Sequence, residues 1–71
     1  MIKIHSSMSG WVVSIHVSVG QRIKESTLLV TLESMKMQIP IESSCAGVVK
    51  EIWIKEEEVV QEGDTLIIIE T

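Results

Sequence analysis

Branched apolar residues recur at every second position in four stretches: Ile2/Ile4, Val13/Ile15/Val17, Ile39/Ile41 and Ile52/Ile54. A period of two places those side chains on one face of an extended strand and the residues between them on the other. Two further stretches, Leu28 to Leu32 and Leu66 to Ile69, are almost continuously apolar and predict buried strands. Turn-forming residues separate these segments at Ser6 to Gly10, Val19-Gly20-Gln21, Lys24 to Thr27, Ser43 to Gly47, Lys55 to Glu58 and Glu62-Gly63-Asp64. No helical period competes. The pattern predicts an all-β chain of eight short strands.

The pattern also repeats. Slid along itself by 37 positions without a gap, the chain pairs Ile2, Ile4, Ser6, Ser7, Gly10, Val12, Ile15, Glu25, Leu29 and Glu33 with identical residues at 39, 41, 43, 44, 47, 49, 52, 62, 66 and 70. Apolar character is kept at Val17/Ile54, Ile23/Val60, Val30/Ile67 and Leu32/Ile69. Residues 1–34 map onto 38–71, and only Met35, Lys36 and Met37 belong to neither copy. Equivalent sequences bury equivalent faces, so the duplication predicts two similar half-folds about an approximate two-fold axis. The expected architecture is a small flattened barrel or sandwich forming one domain over residues 1–71, with residues 35–37 as a hairpin tip. Ser26 and Glu57 stand where the opposite copy has Gly63 and Gly20, so each copy keeps one of two turn glycines. Altered turn geometry is expected there.

Composition narrows the function classes. The chain is 45% hydrophobic with few aromatics, as suits pleated sheets. A net charge of −4 with scattered cations argues against binding a phosphate backbone, so nucleic acid is not an expected partner. Cys45 is alone, which excludes an intrachain disulfide, and neither a signal-like segment nor a membrane-length apolar run is present. The expected setting is cytoplasmic, without membrane attachment, and the expected state is monomeric.

One place in this pattern is free to carry chemistry. Met35-Lys36-Met37 interrupts the duplication, so the repeated packing does not dictate these residues. On one reading Lys36 is an ordinary surface lysine, with methionines folding back as flexible gap-fillers. On the other, Lys36 is a nucleophile presented to a modifying enzyme, with Met35 and Met37 as recognition flanks, held out from the core by the strands on either side. A lysine offers a flexible four-carbon stem and an amine that forms a stable amide. An ordinary lysine amine, with a pKa of about 10.4, is neutral in only roughly one molecule in a few thousand at pH 7. Selective acylation therefore calls for a dedicated ligase.

Glu33-Ser34-Met35-Lys36-Met37 resembles the biotinyl motif, usually Glu-Ala-Met-Lys-Met, of the biotinyl/lipoyl attachment domain family. Met8-Ser9-Gly10-Trp11-Val12, Ala46-Gly47-Val48-Val49 and Gln61-Glu62-Gly63-Asp64-Thr65-Leu66 are similar to segments the family uses in corresponding places, so the resemblance runs end to end. It implies a barrel-sandwich hybrid of two four-stranded antiparallel sheets, with Lys36 as the attachment point and Glu33 and Ser34 as its motif neighbours. It also implies biotin as the cofactor and a biotin protein ligase, acting through biotinyl-adenylate, as the loading enzyme. A biotin carboxylase would then load a carboxyl group onto the tethered ureido ring, and a carboxyltransferase would remove it. Ser34 departs from the biotinyl pattern and matches the lipoyl pattern, which resembles Glu-Ser-Asp-Lys-Ala. Lipoate, lipoate ligase and an acyl-transfer role, or modification by both ligases, therefore stand as the alternative, and an unmodified interaction module as a second one. The loop between the early strands leaves no room for a thumb-like insertion over the cofactor, and a freely swinging arm is expected.

The remaining candidates are ordinary. His5, His16 and Cys45 lack metal-ligand spacing. Trp11 and Trp53 could serve as docking residues, but in so small a protein a Trp beside a strand is expected to be partial core. Lys55-Glu56-Glu57-Glu58 reads as a solvated turn.

Overall fold

The structure is a computed structural model describing all residues, Met1 to Thr71. Eight strands form: β1 (Ile2–His5), β2 (Gly10–Ile15), β3 (Arg22–Ile23), β4 (Leu28–Ser34), β5 (Met37–Glu42), β6 (Gly47–Ile52), β7 (Val59–Val60) and β8 (Thr65–Glu70). They make two four-stranded sheets ordered β1-β8-β6-β3 and β5-β4-β2-β7, with every neighbouring pair antiparallel. The result is the barrel-sandwich hybrid that the resemblance implied. The molecule measures 33 × 18 × 18 Å.

Shifting β1, β2, β3 and β4 by 37 residues places them on β5, β6, β7 and β8, and this exchange converts one sheet order into the other. Neither sheet is built from one half. Each takes two strands from the first repeat and two from the second, so neither half closes a sheet without the other. Hydrogen bonds obey the same symmetry. Gly20 N–H donates to Val49 O and Glu57 N–H to Val12 O, both at 2.7 Å, tying the turns of each half to a strand of the other.

The core is aliphatic. Leu29, Leu32, Leu66, Ile67, Ile69, Val12, Val30 and Val49 are fully enclosed, each stabilising the fold by about 1.5–3 kcal/mol relative to exposure. Two buried hydroxyls, Ser6 and Ser43, are equivalent under the repeat. Each donates to a carbonyl two residues on, that of Met8 and of Cys45 respectively. No buried side-chain polar atom lacks a partner.

Simple alternation fails at four places, also in equivalent pairs. The register skips Val13 in β2 and Lys50 in β6, and skips Leu29 in β4 and Leu66 in β8. A bulge inserts one residue and bends its strand, which lets adjacent Leu29 and Val30 both reach the core. It also corrects the expected Val13/Ile15/Val17 face. The innermost residue of β2 is Val12, while Val13 and Ile15 are half-buried, and Val17 is buried beyond the strand's end.

The expected change in turn geometry does not occur. Ser26 has φ 72° where its equivalent Gly63 has 91°, and Glu57 has φ 72° where Gly20 has 92°. All four residues are left-handed because the surrounding pairing dictates the turn. The side chains at Ser26 and Glu57 tolerate a conformation that favours glycine.

Candidate functional site

Strands β4 and β5 run together through six paired positions, from Leu28↔Glu42 to Ser34↔Met37. The loop expected over three residues is two residues long, because Met37 is already the first residue of β5. Met35 and Lys36 carry φ values of 52° and 66°, positive at both central positions as a type I′ turn requires. Such turns favour Asn-Gly. With Met-Lys each residue bears a left-handed penalty of about 1–2 kcal/mol, so the ladder behind the turn imposes this conformation.

Beyond the last pair, side chains begin in solvent. Met35 is 91% and Met37 62% exposed, Lys36 is exposed, and Glu33 and Ser34 are half-buried. The one ion pair of the molecule, Lys50 Nζ to Glu70 Oε2 at 3.7 Å, lies elsewhere, so the Lys36 ammonium has no carboxylate partner. An uncommitted amine on a four-carbon stem, clear of the strands, is suited to acylation.

Gly10 supports the tip from below. A Cβ at Gly10 would collide with the Glu33 carbonyl oxygen and crowd Ser34 Cβ at 3.3 Å. Without one, β2 closes against the last residues of β4, directly before the turn.

The sequence expectation that Trp11 and Trp53 are partial core is not met. They are 40% and 54% exposed. Trp53 Nε1–H donates to Glu51 Oε1 at 2.8 Å, on the other sheet. Trp11 is paired with Glu33 on one side and Val59 on the other. It lines a shallow groove of about 460 Å³ with Gly10, Ser34, Met35, Val59 and Gln61. Sequence reasoning passed over Trp11 because pairing partners 22 and 48 residues away are visible only in the register. The histidines are apart from this site. His5 Nδ1–H donates to Gly63 O at 3.1 Å, and His16 Nε2 lies 2.8 Å from Thr31 Oγ1.

Residues 2–69 match the sequence profile of a family described as "Biotin-requiring enzyme". This chain belongs to the biotinyl/lipoyl attachment domain family. Domains of the family are carriers rather than catalytic units. The biotin/lipoyl attachment protein of Bacillus subtilis (strain 168) is 43% identical over 60 residues, covering 84% of this chain and 82% of that protein. The dihydrolipoyllysine-residue acetyltransferase component of the pyruvate dehydrogenase complex of Cupriavidus necator is 42% identical over 59 residues, 83% of this attachment domain and 11% of that protein. A solved single-chain, multi-domain long-chain acyl-CoA carboxylase superposes with a TM-score of 0.87 at 27% identity, over 93% of this domain and 6% of that chain. Attachment domains similar to this one thus occur both alone and within carboxylases and acyltransferases.

Proposed function

We propose that this domain carries biotin in amide linkage to Lys36 Nζ and shuttles a carboxyl group between a biotin carboxylase and a carboxyltransferase. The observation that carries the reading is the unpaired Lys36 amine at a two-residue turn, flanked by exposed Met35 and Met37. In the loading step a biotin protein ligase presents biotinyl-adenylate. Lys36 gives up its ammonium proton to become the free amine, and its lone pair attacks the acyl carbon. The new C–N bond replaces the bond from that carbon to the adenylate oxygen, AMP leaves with the electron pair, and the second amine proton passes to solvent.

Once attached, biotin supplies a ureido nitrogen able to carry a carboxyl group. This chain's part is to hold the stem on a rigid turn, leave the arm free, and keep it at high effective concentration near each partner site. It does no catalysis itself.

A second reading has one observation of its own. Ser34 matches the lipoyl pattern, which favours lipoate on the same Nζ through a lipoate ligase, serving acyl transfer. Intact mass after co-expression with each ligase separates the readings. A mass increase equal to one biotinyl or one lipoyl group is expected, and Lys36→Arg should abolish it, since guanidinium is no acyl acceptor. An unchanged mass with both ligases would leave an unmodified interaction module.

A further inference from the structure

The duplicated scaffold offers an internal comparison for every position, including those around Lys36. Across the outer face of the β5-β4-β2-β7 sheet the register sets Gln38, Glu33, Trp11 and Val59 side by side in one row. The adjoining row, Ile39, Leu32 and Val12, points into the barrel. The equivalents of Glu33, Trp11 and Val59 on the other sheet are Glu70, Val48 and Arg22, again paired in a row. The fold therefore needs neither a Trp at 11 nor an apolar residue at 59. It closes the same sheet with a half-buried Val and an exposed Arg. Yet Val59 is 75% exposed and Trp11 40%, and with Met35 they line one continuous groove ending at the tip. Other apolar side chains are also exposed, among them Met1, Val19 and Trp53, but Trp11, Val59 and Met35 share one groove beside the lysine-bearing tip, and apolar surface that the packing does not require calls for a partner there.

We infer that Trp11 and Val59 form the docking surface for the biotin protein ligase that loads Lys36. The inference rests on the carrier reading above, and reach selects this partner among the enzymes. Before loading, Lys36 extends only roughly 6 Å from the backbone at bond lengths of about 1.5 Å, so the ligase must bring its own body down onto the tip. A standard interface covers about 800 Å² per partner, a disc of roughly 16 Å radius. Strands lie about 4.8 Å apart, so Trp11 is one strand and Val59 two strands, about 10 Å, from Glu33. Both fall inside such a footprint centred on Lys36. A carboxylase or carboxyltransferase meets the far end of the loaded arm, longer by the whole attached cofactor, and so can act with its body further from the tip. Aromatic residues are among those that carry a large share of binding energy within a footprint, and Glu33 within the row and nearby Glu62, bonded through its N–H to Ser9 Oγ at 3.3 Å, favour a ligase with a cationic rim.

The internal repeat also supplies substitutions the fold already accommodates: Trp11→Val and Val59→Arg, each the residue at the equivalent position. Initial rates of biotin incorporation by biotin protein ligase, read by intact mass over a range of carrier concentrations, should show kcat/KM falling at least tenfold for the pair. The loss should be in KM, with the thermal midpoint little changed. Val48→Thr with Arg22→Ala, on the opposite sheet, should load at the unsubstituted rate. Equal kcat/KM in Trp11→Val, Val59→Arg and the unsubstituted protein would overturn the inference, as would a loss confined to kcat. Val59→Arg alone, at the more exposed site, decides the matter if Trp11→Val fails to fold. Should the unsubstituted protein take up no biotin at all, the biotin-carrier reading itself fails, an outcome distinct from equal loading.

Discussion

At the scale of single residues, Met35 and Lys36 stand in conflict with their own backbone. Both have positive φ where a β-hairpin would normally place Asn-Gly, and both are exposed, so nothing in the core repays the choice. Lys36→Gly should relieve the left-handed penalty and stabilise the domain by about 1 kcal/mol, raising Tm by roughly 4–8 °C for a domain of this size, while abolishing loading. Thermal unfolding beside intact mass checks both halves. A lower Tm would mean that the lysine side chain makes a stabilising contact absent from the structure. The residue level was the most legible in the sequence. Met35-Lys36-Met37 is conspicuous as the part left over when the repeat is folded onto itself. Trp11 was not legible, because an isolated Trp beside a strand looks the same whether it faces inward or outward, and the bulge at Val13 lies just beyond it.

At the scale of elements, the close approach of β2 to the end of β4 is what presents the tip. Gly10 and Gly47 occupy equivalent positions, each with a strand-end carbonyl where a Cβ would go, that of Glu33 or Glu70. Gly10→Ala and Gly47→Ala should destabilise the domain by similar amounts, about 1–3 kcal/mol, as overpacked sites do. Only Gly10→Ala displaces the strand leading into Lys36, so only it should also slow ligase loading under conditions where both variants are folded. Equal loading in the two variants would show that the tip keeps its geometry independently of β2. Strand existence was legible from period-two alternation, and hairpin β4-β5 from the repeat boundary. The four bulges were not, since a bulge is a relation between two strands and leaves no mark in the periodicity of one.

At the scale of the whole molecule, the two-fold relation makes Thr71 and Met1 the equivalents of Ser34 and Gln38, so the termini stand where a second tip would be. Joining Thr71 to Met1 through Met-Lys-Met, and opening the chain between Met35 and Lys36 with Lys36→Arg, should give the same barrel with its acceptor lysine at the other end. Cooperative thermal unfolding and a β-type circular dichroism spectrum would report the fold. The transplanted lysine would then lie beside Val48 and Arg22 instead of Trp11 and Val59, and its loading should be slow to the extent that the Trp11→Val, Val59→Arg pair is slow. Loading at the native rate would assign recognition to the turn residues alone.

The sequence by itself determined the class of strands, the duplication, the aliphatic core and the lysine that interrupts the repeat. Each of these is carried by residue type and spacing along one chain, and burial needs only a period to be read. The tertiary structure alone decided that each sheet draws strands from both halves, that Ser26 and Glu57 take up glycine-like turns, and that Trp11 and Val59 meet beside the tip. Those features depend on which strands pair and in what register. Pairing energy is shared between segments tens of residues apart, so no local pattern records it.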